Sequence, residues 1–172
     1  IAAKRFIVVE EVAEEFTEMF VEGTQNLKVG DPMDPETDIG PMVREEQVQI
    51  LESQVSDAIS RGAKAPIPGG RMESEGYMYS PTVLSDVSGD MKVMREETFG
   101  PVAPIITVKN EEEAIELAND SEFGLGASVW SQDRDRGLRI ASELETGMVG
   151  INAFCKPEAC LPFGGVKKSG MG

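Results

Sequence analysis

Arg5–Val9 is a short run rich in β-branched residues, and the period then changes, with Val12, Phe16 and Phe20 recurring four apart. That pattern predicts a strand followed at once by an amphipathic helix ending near Asn26–Leu27. Val29-Gly30-Asp31-Pro32 and Asp34-Pro35 are turn chemistry, because proline has no N–H to continue a helix, so a loop spans about Lys28 to Val43. Val48, Leu51, Val55 and Ile59 stand three or four apart and predict a second helix, stopped at Arg61-Gly62 by a glycine. Ala63–Pro68 and Tyr79–Leu84, joined through Gly69-Gly70, are expected to form a hairpin at a sheet edge. Val102–Val108 is almost continuously apolar, as a strand buried on both faces would be, with Pro104 expected to put it near an edge or a bulge. Asn110 is placed to cap a helix carrying Ala114, Ile115, Leu117 and Ala118. A strand at Ala127–Trp130 comes next, then a helix capped by Ser131 or Asp133 with Leu138, Ala141 and Leu144 inward, and a last strand at Met148–Asn152. Strands alternating with helices are the signature of βαβ crossovers, so the predicted fold class is α/β, a mostly parallel sheet flanked by helices, read as one unit.

Composition narrows the classes of partner. The chain has 172 residues, 40% hydrophobic and 27% charged, the balance of a globular protein with one ordinary core. Thirty-one acidic residues against 16 basic ones give a formal charge of -15, which repels nucleic-acid phosphates and anionic membrane surfaces. The acids concentrate on the helix faces at Glu10–Glu22, Arg44–Asp57 and Glu111–Glu116, where a solvated surface accounts for them. No apolar run reaches the ~18–20 residues of a spanning helix. With two cysteines, Cys155 and Cys160, and no histidine, neither a disulfide framework nor a zinc site is expected, and no metal is assigned. A cytoplasmic location is the expectation, since no basic, apolar leader opens the chain. Ile1 enters a strand-like run with no initiator methionine, as a chain cut from a longer one would.

Three stretches carry candidate chemistry. In Glu96-Glu97-Thr98-Phe99-Gly100-Pro101-Val102, two carboxylates and a ring occupy a loop just before the buried strand, where α/β proteins place ligands. Two readings stand for it: a solvent-facing acid with Phe99 plugging the core, or a carboxylate accepting from the two hydroxyls of a ribose. Asn119–Val129, with Asn-Asp-Ser and two glycines, describes a helix end turning tightly into a strand. Leu161–Gly170 is a glycine-rich loop, but Gly164 and Gly165 stand too close to Lys167 for a P-loop, which excludes nucleoside triphosphate binding by that device.

Taken in order, these stretches resemble the aldehyde dehydrogenase superfamily, and the likeness runs from the first residue to the last. Ile1–Val8 is similar to the segment directly after the family's Gly-Gln-x-Cys nucleophile motif. Asp31-Pro32 with Asp38-Ile39-Gly40-Pro41 resembles its Gly-x-Pro…Gly-Pro loop, and Ser80–Leu84 its Pro-Thr-Val/Ile strand. Glu96–Val102 looks like its Glu-Glu-x-Phe-Gly-Pro-Val signature, and Asn152 with Pro162–Gly170 its Asn…Pro-Phe-Gly-Gly-x-Lys-x-Ser-Gly ending. The resemblance implies the C-terminal part of a catalytic domain of that type over residues 1–172, with the Rossmann cofactor domain outside the chain. It implies that Glu97 holds the nicotinamide ribose of NAD or NADP, that Phe99 lies beside the nicotinamide, and that Phe163 lines the aldehyde tunnel. Phe154, Cys155, Lys156 and Glu158, between Asn152 and Pro162, become specificity candidates.

The reaction so implied oxidises an aldehyde to a carboxylic acid through a cysteine thiohemiacetal and thioester, with hydride passing to the nicotinamide. In the family register the nucleophile stands immediately before Ile1, so no catalytic residue is assigned within the chain; Cys155 and Cys160 match neither its motif nor its position, and the 172 residues alone are expected to be inactive. Phe154-Cys155-Lys156 with Leu161–Gly170 looks most like the succinate-semialdehyde dehydrogenases, which take a short aldehyde bearing a carboxylate, and Lys156 offers a cation for it. Pro157-Glu158-Ala159-Cys160 stands where some members carry a serine. A broad-specificity or lactaldehyde-type enzyme remains open, as does a non-catalytic interaction or regulatory module retaining the fold. The full-length protein is expected to form a homodimer or homotetramer.

Overall fold

The computed structural model describes residues 3–74 and 76–171; the opening Ile1-Ala2 of the resemblance lies outside them. Its residues gather into two compact units, one of residues 4–108 and one of residues 109–171 with residue 3, where the pattern predicts a single unit.

In the first unit, strand β1 (Phe6–Val9) leads without a break into helix α1 (Glu10–Gln25). Helix α2 (Glu45–Ser60) comes after the expected loop, and then come strands β2 (Lys64–Ile67), β3 (Gly70–Arg71), β4 (Tyr79–Ser80) and β5 (Thr82–Ser85). A single helical turn, α3 (Lys92–Arg95), precedes strand β6 (Val102–Val108). The four-stranded sheet has the order β1-β6-β5-β2, with β1 and β5 parallel to β6 and β2 antiparallel at the edge. The hairpin therefore sits at an edge as expected.

Pro104 departs from expectation, since β6 is the central strand and the proline is fully buried in it. The register supplies the reason. β5 pairs with residues 102–104 and β1 with residues 105–108, so Pro104 occupies the last rung of one ladder, just before the other begins. At that handover a missing N–H interrupts neither ladder internally.

One face of the sheet buries Val8, Val83 and Ile105 under Ala13, Phe16, Phe20 and Val21 of α1, with Phe6 and Ile67 at its margin. Phe6 meets Phe20 edge-on, the ring centroids 4.8 Å apart, and such pairs contribute ~0.5–1.5 kcal/mol beyond area burial. Val12, expected inward, is exposed, because the partly buried stripe runs through Ala13 one position away. In α2 the buried positions are Val48, Leu51, Gln54, Val55 and Ala58, while Ile59 faces outward. Gly62, at φ +101°, closes that helix as predicted.

The second unit begins with helix α4 (Glu111–Asn119). Asn110 caps it, its side chain accepting from the Glu113 N–H at 2.9 Å, while the Glu113 carboxylate accepts from the Lys109 N–H at 2.8 Å. Strands β7 (Phe123–Gly124) and β8 (Gly126–Val129), helix α5 (Arg134–Glu143), and strands β9 (Met148–Ile151) and β10 (Val166–Lys167) complete the chain. β8 and β9 are parallel and joined through α5, and β10 pairs antiparallel with β7. Asp133, one of the two expected caps, accepts from the N–H groups of Asp135 and Arg136. Leu138 is exposed rather than inward. The nearly buried Glu111 carboxylate receives Arg136 and Arg139, which ties α4 to α5.

Candidate functional site

The loop between α3 and β6 carries the first set of predicted site residues. Thr98 is fully buried, whereas its neighbours Glu97 and Phe99 are exposed, so the backbone is anchored at the centre and presents a carboxylate and a ring on either side. Phe99 is 53% exposed, which excludes the reading in which it plugs the core. Lys4, just before β1, lies with its ammonium 4.4 Å from the centre of the Phe99 ring. That half-buried ammonium has its pKa lowered by burial, and the nearby Glu97 carboxylate partly opposes the shift. Lys4, Glu97 and Phe99 thus form one cluster within the first unit.

Two features hold this loop. Gly100 has φ +145°, and a Cβ there would stand 2.4 Å from Leu51 Cδ1, so only glycine lets the chain pass so close to α2. From the same helix, Gln54 donates from Nε2 to Glu96 Oε2 at 3.2 Å and to the Glu97 carbonyl at 3.4 Å.

A dinucleotide's nicotinamide end asks for an acceptor toward the ribose diol and a flat apolar surface toward the ring. Glu97 and Phe99, both exposed and two positions apart on an anchored loop, fit those needs.

Phe154 and Phe163 belong to the second unit. Phe154 is 74% exposed and stacks edge-to-face on Trp130, ring centroids 5.7 Å apart. Its loop is set at the near end by Asn152, whose amide both accepts from the Ser131 N–H at 2.9 Å and donates to the Ser131 carbonyl at 2.8 Å. Asn152 itself takes φ +51°. Cys155 is half-buried, its N–H donating to Ser128 Oγ, and it packs so near Gly126 that a Cβ there would meet its sulfur at 2.6 Å. That sulfur is an anchor for the loop, while Lys156, Glu158 and Cys160 are exposed. Phe163 is also exposed, ahead of β10.

The rest of the glycine-rich ending is structural. Lys167 donates to the Asn119 carbonyl at the end of α4 and pairs with Glu145, both at 2.6 Å. Lys168 pairs with Glu122, and Ser169 Oγ accepts from the Gly124 N–H. Asn119 clasps the end of α5, donating to the Glu143 carbonyl and accepting from the Glu145 N–H. That bears out the reading of the Asn119–Val129 stretch as helix-end and turn chemistry.

Lys4 and Gln54 were not legible as site residues. Gln54 left a signal, a polar residue three positions after Leu51 inside an apolar stripe; Lys4 left none, because its partners lie far along the chain.

The family model for the aldehyde dehydrogenase family matches residues 1–172. The chain is 47% identical over 171 residues to the succinate semialdehyde dehydrogenase [NAD(P)+] Sad of Escherichia coli, covering 99% of this chain and 37% of that protein. It is equally 47% identical to a succinate-semialdehyde dehydrogenase [NADP(+)] of Deinococcus radiodurans, over 100% of this chain and 36% of the relative. The crystal structure of a succinate-semialdehyde dehydrogenase from Burkholderia pseudomallei superimposes with a TM-score of 0.93 at 43% identity, covering 99% of this chain and 35% of that one. The chain therefore spans little more than a third of the length of the relatives it matches.

Proposed function

The chain belongs to the aldehyde dehydrogenase family, and on that premise we propose that it supplies the nicotinamide-ribose contact and part of the aldehyde-binding wall of an enzyme that oxidises aldehydes to carboxylic acids with NAD or NADP. The observation that carries this reading is the exposed Glu97 carboxylate beside the exposed Phe99 ring on a loop anchored by buried Thr98. A bound NAD or NADP would supply the hydride acceptor for the aldehyde, and Glu97 and Phe99 would hold its nicotinamide end.

This chain's own residues do the positioning. Glu97 accepts from the ribose hydroxyls, Phe99 gives the nicotinamide a flat neighbour, and the Lys4 ammonium lies over the Phe99 ring within the field of Glu97. Phe154 and Phe163 line the aldehyde's path, and Lys156, an exposed cation in a chain of net charge -15, meets an anionic aldehyde. A short aldehyde bearing a carboxylate, succinate semialdehyde foremost, is the substrate proposed, because the relatives named for it are 47% identical.

The test is the enzyme containing this chain, assayed with succinate semialdehyde and with an uncharged aldehyde of equal length, using NAD+ and NADP+ in turn. Glu97→Gln is expected to weaken cofactor binding by about 10- to 100-fold, the worth of a hydrogen bond to a charged group. Lys156→Met should narrow the preference for the anionic aldehyde. No oxidation with either cofactor, or an unchanged cofactor affinity in Glu97→Gln, refutes the reading.

A further inference from the structure

The buried face of α2 carries one residue that packing does not call for. Val48, Leu51, Val55 and Ala58 make an apolar stripe, and Gln54 interrupts it while fully buried. Burying an amide is unfavourable unless its hydrogen bonds are remade inside, and here they are remade only on one side. Nε2 reaches the Glu96 carboxylate and the Glu97 carbonyl, whereas Oε1 has no hydrogen-bond partner among the described residues. An apolar side chain of the same length would fill the space without stranding that oxygen. Stability of the helix therefore gives no reason for glutamine, while the two acceptors it does reach are consecutive residues of the loop that presents Glu97.

We infer that Gln54 is a positioning residue for cofactor binding: a tether from α2 that fixes the Glu96–Glu97 backbone and so sets where the Glu97 carboxylate is presented. This role rests on the assignment of Glu97 to the nicotinamide ribose. Thr98 and Gly100 still anchor the loop beyond Glu97 when the tether is cut, so what is lost is the aim of one carboxylate rather than the fold. The loss falls on the cofactor and not on the aldehyde.

The experiment is a double-mutant cycle in the enzyme containing this chain, read as equilibrium dissociation constants of NAD+ and NADP+ by calorimetry, with the melting temperature and the aldehyde KM measured alongside. Gln54→Met, of equal length and without a donor, is expected to weaken cofactor binding about five- to tenfold, with the melting temperature unchanged or raised and the aldehyde KM unchanged. Gln54→Asn, one methylene too short to reach both acceptors, should show the same weakening. In combination with Glu97→Gln, either substitution should cost nothing further, because the tether acts through that carboxylate. Full cofactor affinity in Gln54→Met and Gln54→Asn, with Glu97→Gln weakened, overturns the tether alone. Additive losses in the double variant, or a fall in melting temperature with both KM values rising together, overturn it as well. Unchanged affinity in Glu97→Gln overturns the assignment beneath it.

Discussion

Replacing Gly100 by alanine adds one methyl group at the point where the loop bearing Glu97 and Phe99 passes closest to α2. The geometry imposes two costs. A residue with a Cβ is strained at φ +145°, which is worth ~1–3 kcal/mol. The added carbon would also stand 2.4 Å from Leu51 Cδ1 and 3.1 Å from Met42 Cε, and because Leu51 is fully buried it has no room to swing away. Overpacking of that kind costs a further ~1–3 kcal/mol. Gly62→Ala is the matched control: φ there is +101°, yet nothing lies within 4 Å of the new Cβ, so it carries the backbone strain without the clash. Gly100→Ala should therefore be the less stable of the two by about 1–3 kcal/mol, or roughly 2–12 °C in melting temperature for a chain of this size. Urea unfolding should show the same gap as a shift in midpoint at constant slope. Cofactor affinity should fall with it, since Phe99 is the adjacent residue. Equal destabilisation of the two variants would refute the close approach to Leu51.

Two further predictions turn on charge. Arg139 and, next, Arg136 hold the Glu111 carboxyl below its ordinary value of 4.5. Because the folded value is depressed, the stabilisation is present above 4.5 and lost as pH falls through the folded value, so Glu111→Gln should melt earlier than the native chain at pH 7, with the two curves converging in acid. A difference that does not change with pH would contradict this. For Lys4 the folded value is lowered from 10.5, so the penalty of burying the ammonium is complete at neutral pH and fades as pH rises through the folded value toward 10.5. Lys4→Met should accordingly hold a stability advantage at pH 7 that shrinks in alkali; an advantage that grows with pH would contradict it.

Much of this architecture was legible in the pattern of apolar positions. β1 with α1, the caps at Asn110 and Asp133, and the glycine stop after α2 all depend on local chemistry, and all stand where that chemistry put them. Faces were legible only to within one residue. A four-residue spacing drifts around a helix, so Val12, Ile59 and Leu138 were expected inward, while Ala13, Ala58 and Gly137 take the inner positions. The two-residue strands β7 and β10 are too short to have a period and were missed. Pro104 misled because its tolerance depends on the register of two neighbouring strands, which only the assembled sheet defines. For the candidate site, Glu97 and Phe99 were recoverable from their motif, and their exposure fits the roles proposed for them. The supports were not: the Lys4–Phe99 contact and the Gln54 tether join residues distant in sequence, and the one local mark, a polar Gln54 within an apolar stripe, does not say which loop it reaches.

The most direct measurement is a crystal structure of the enzyme containing this chain with NAD+ or NADP+ bound. Hydroxyls of the nicotinamide ribose should lie within about 2.6–3.2 Å of the Glu97 carboxylate, with the nicotinamide against the Phe99 ring. A ribose held by other groups, with Glu97 left in solvent, would contradict the account.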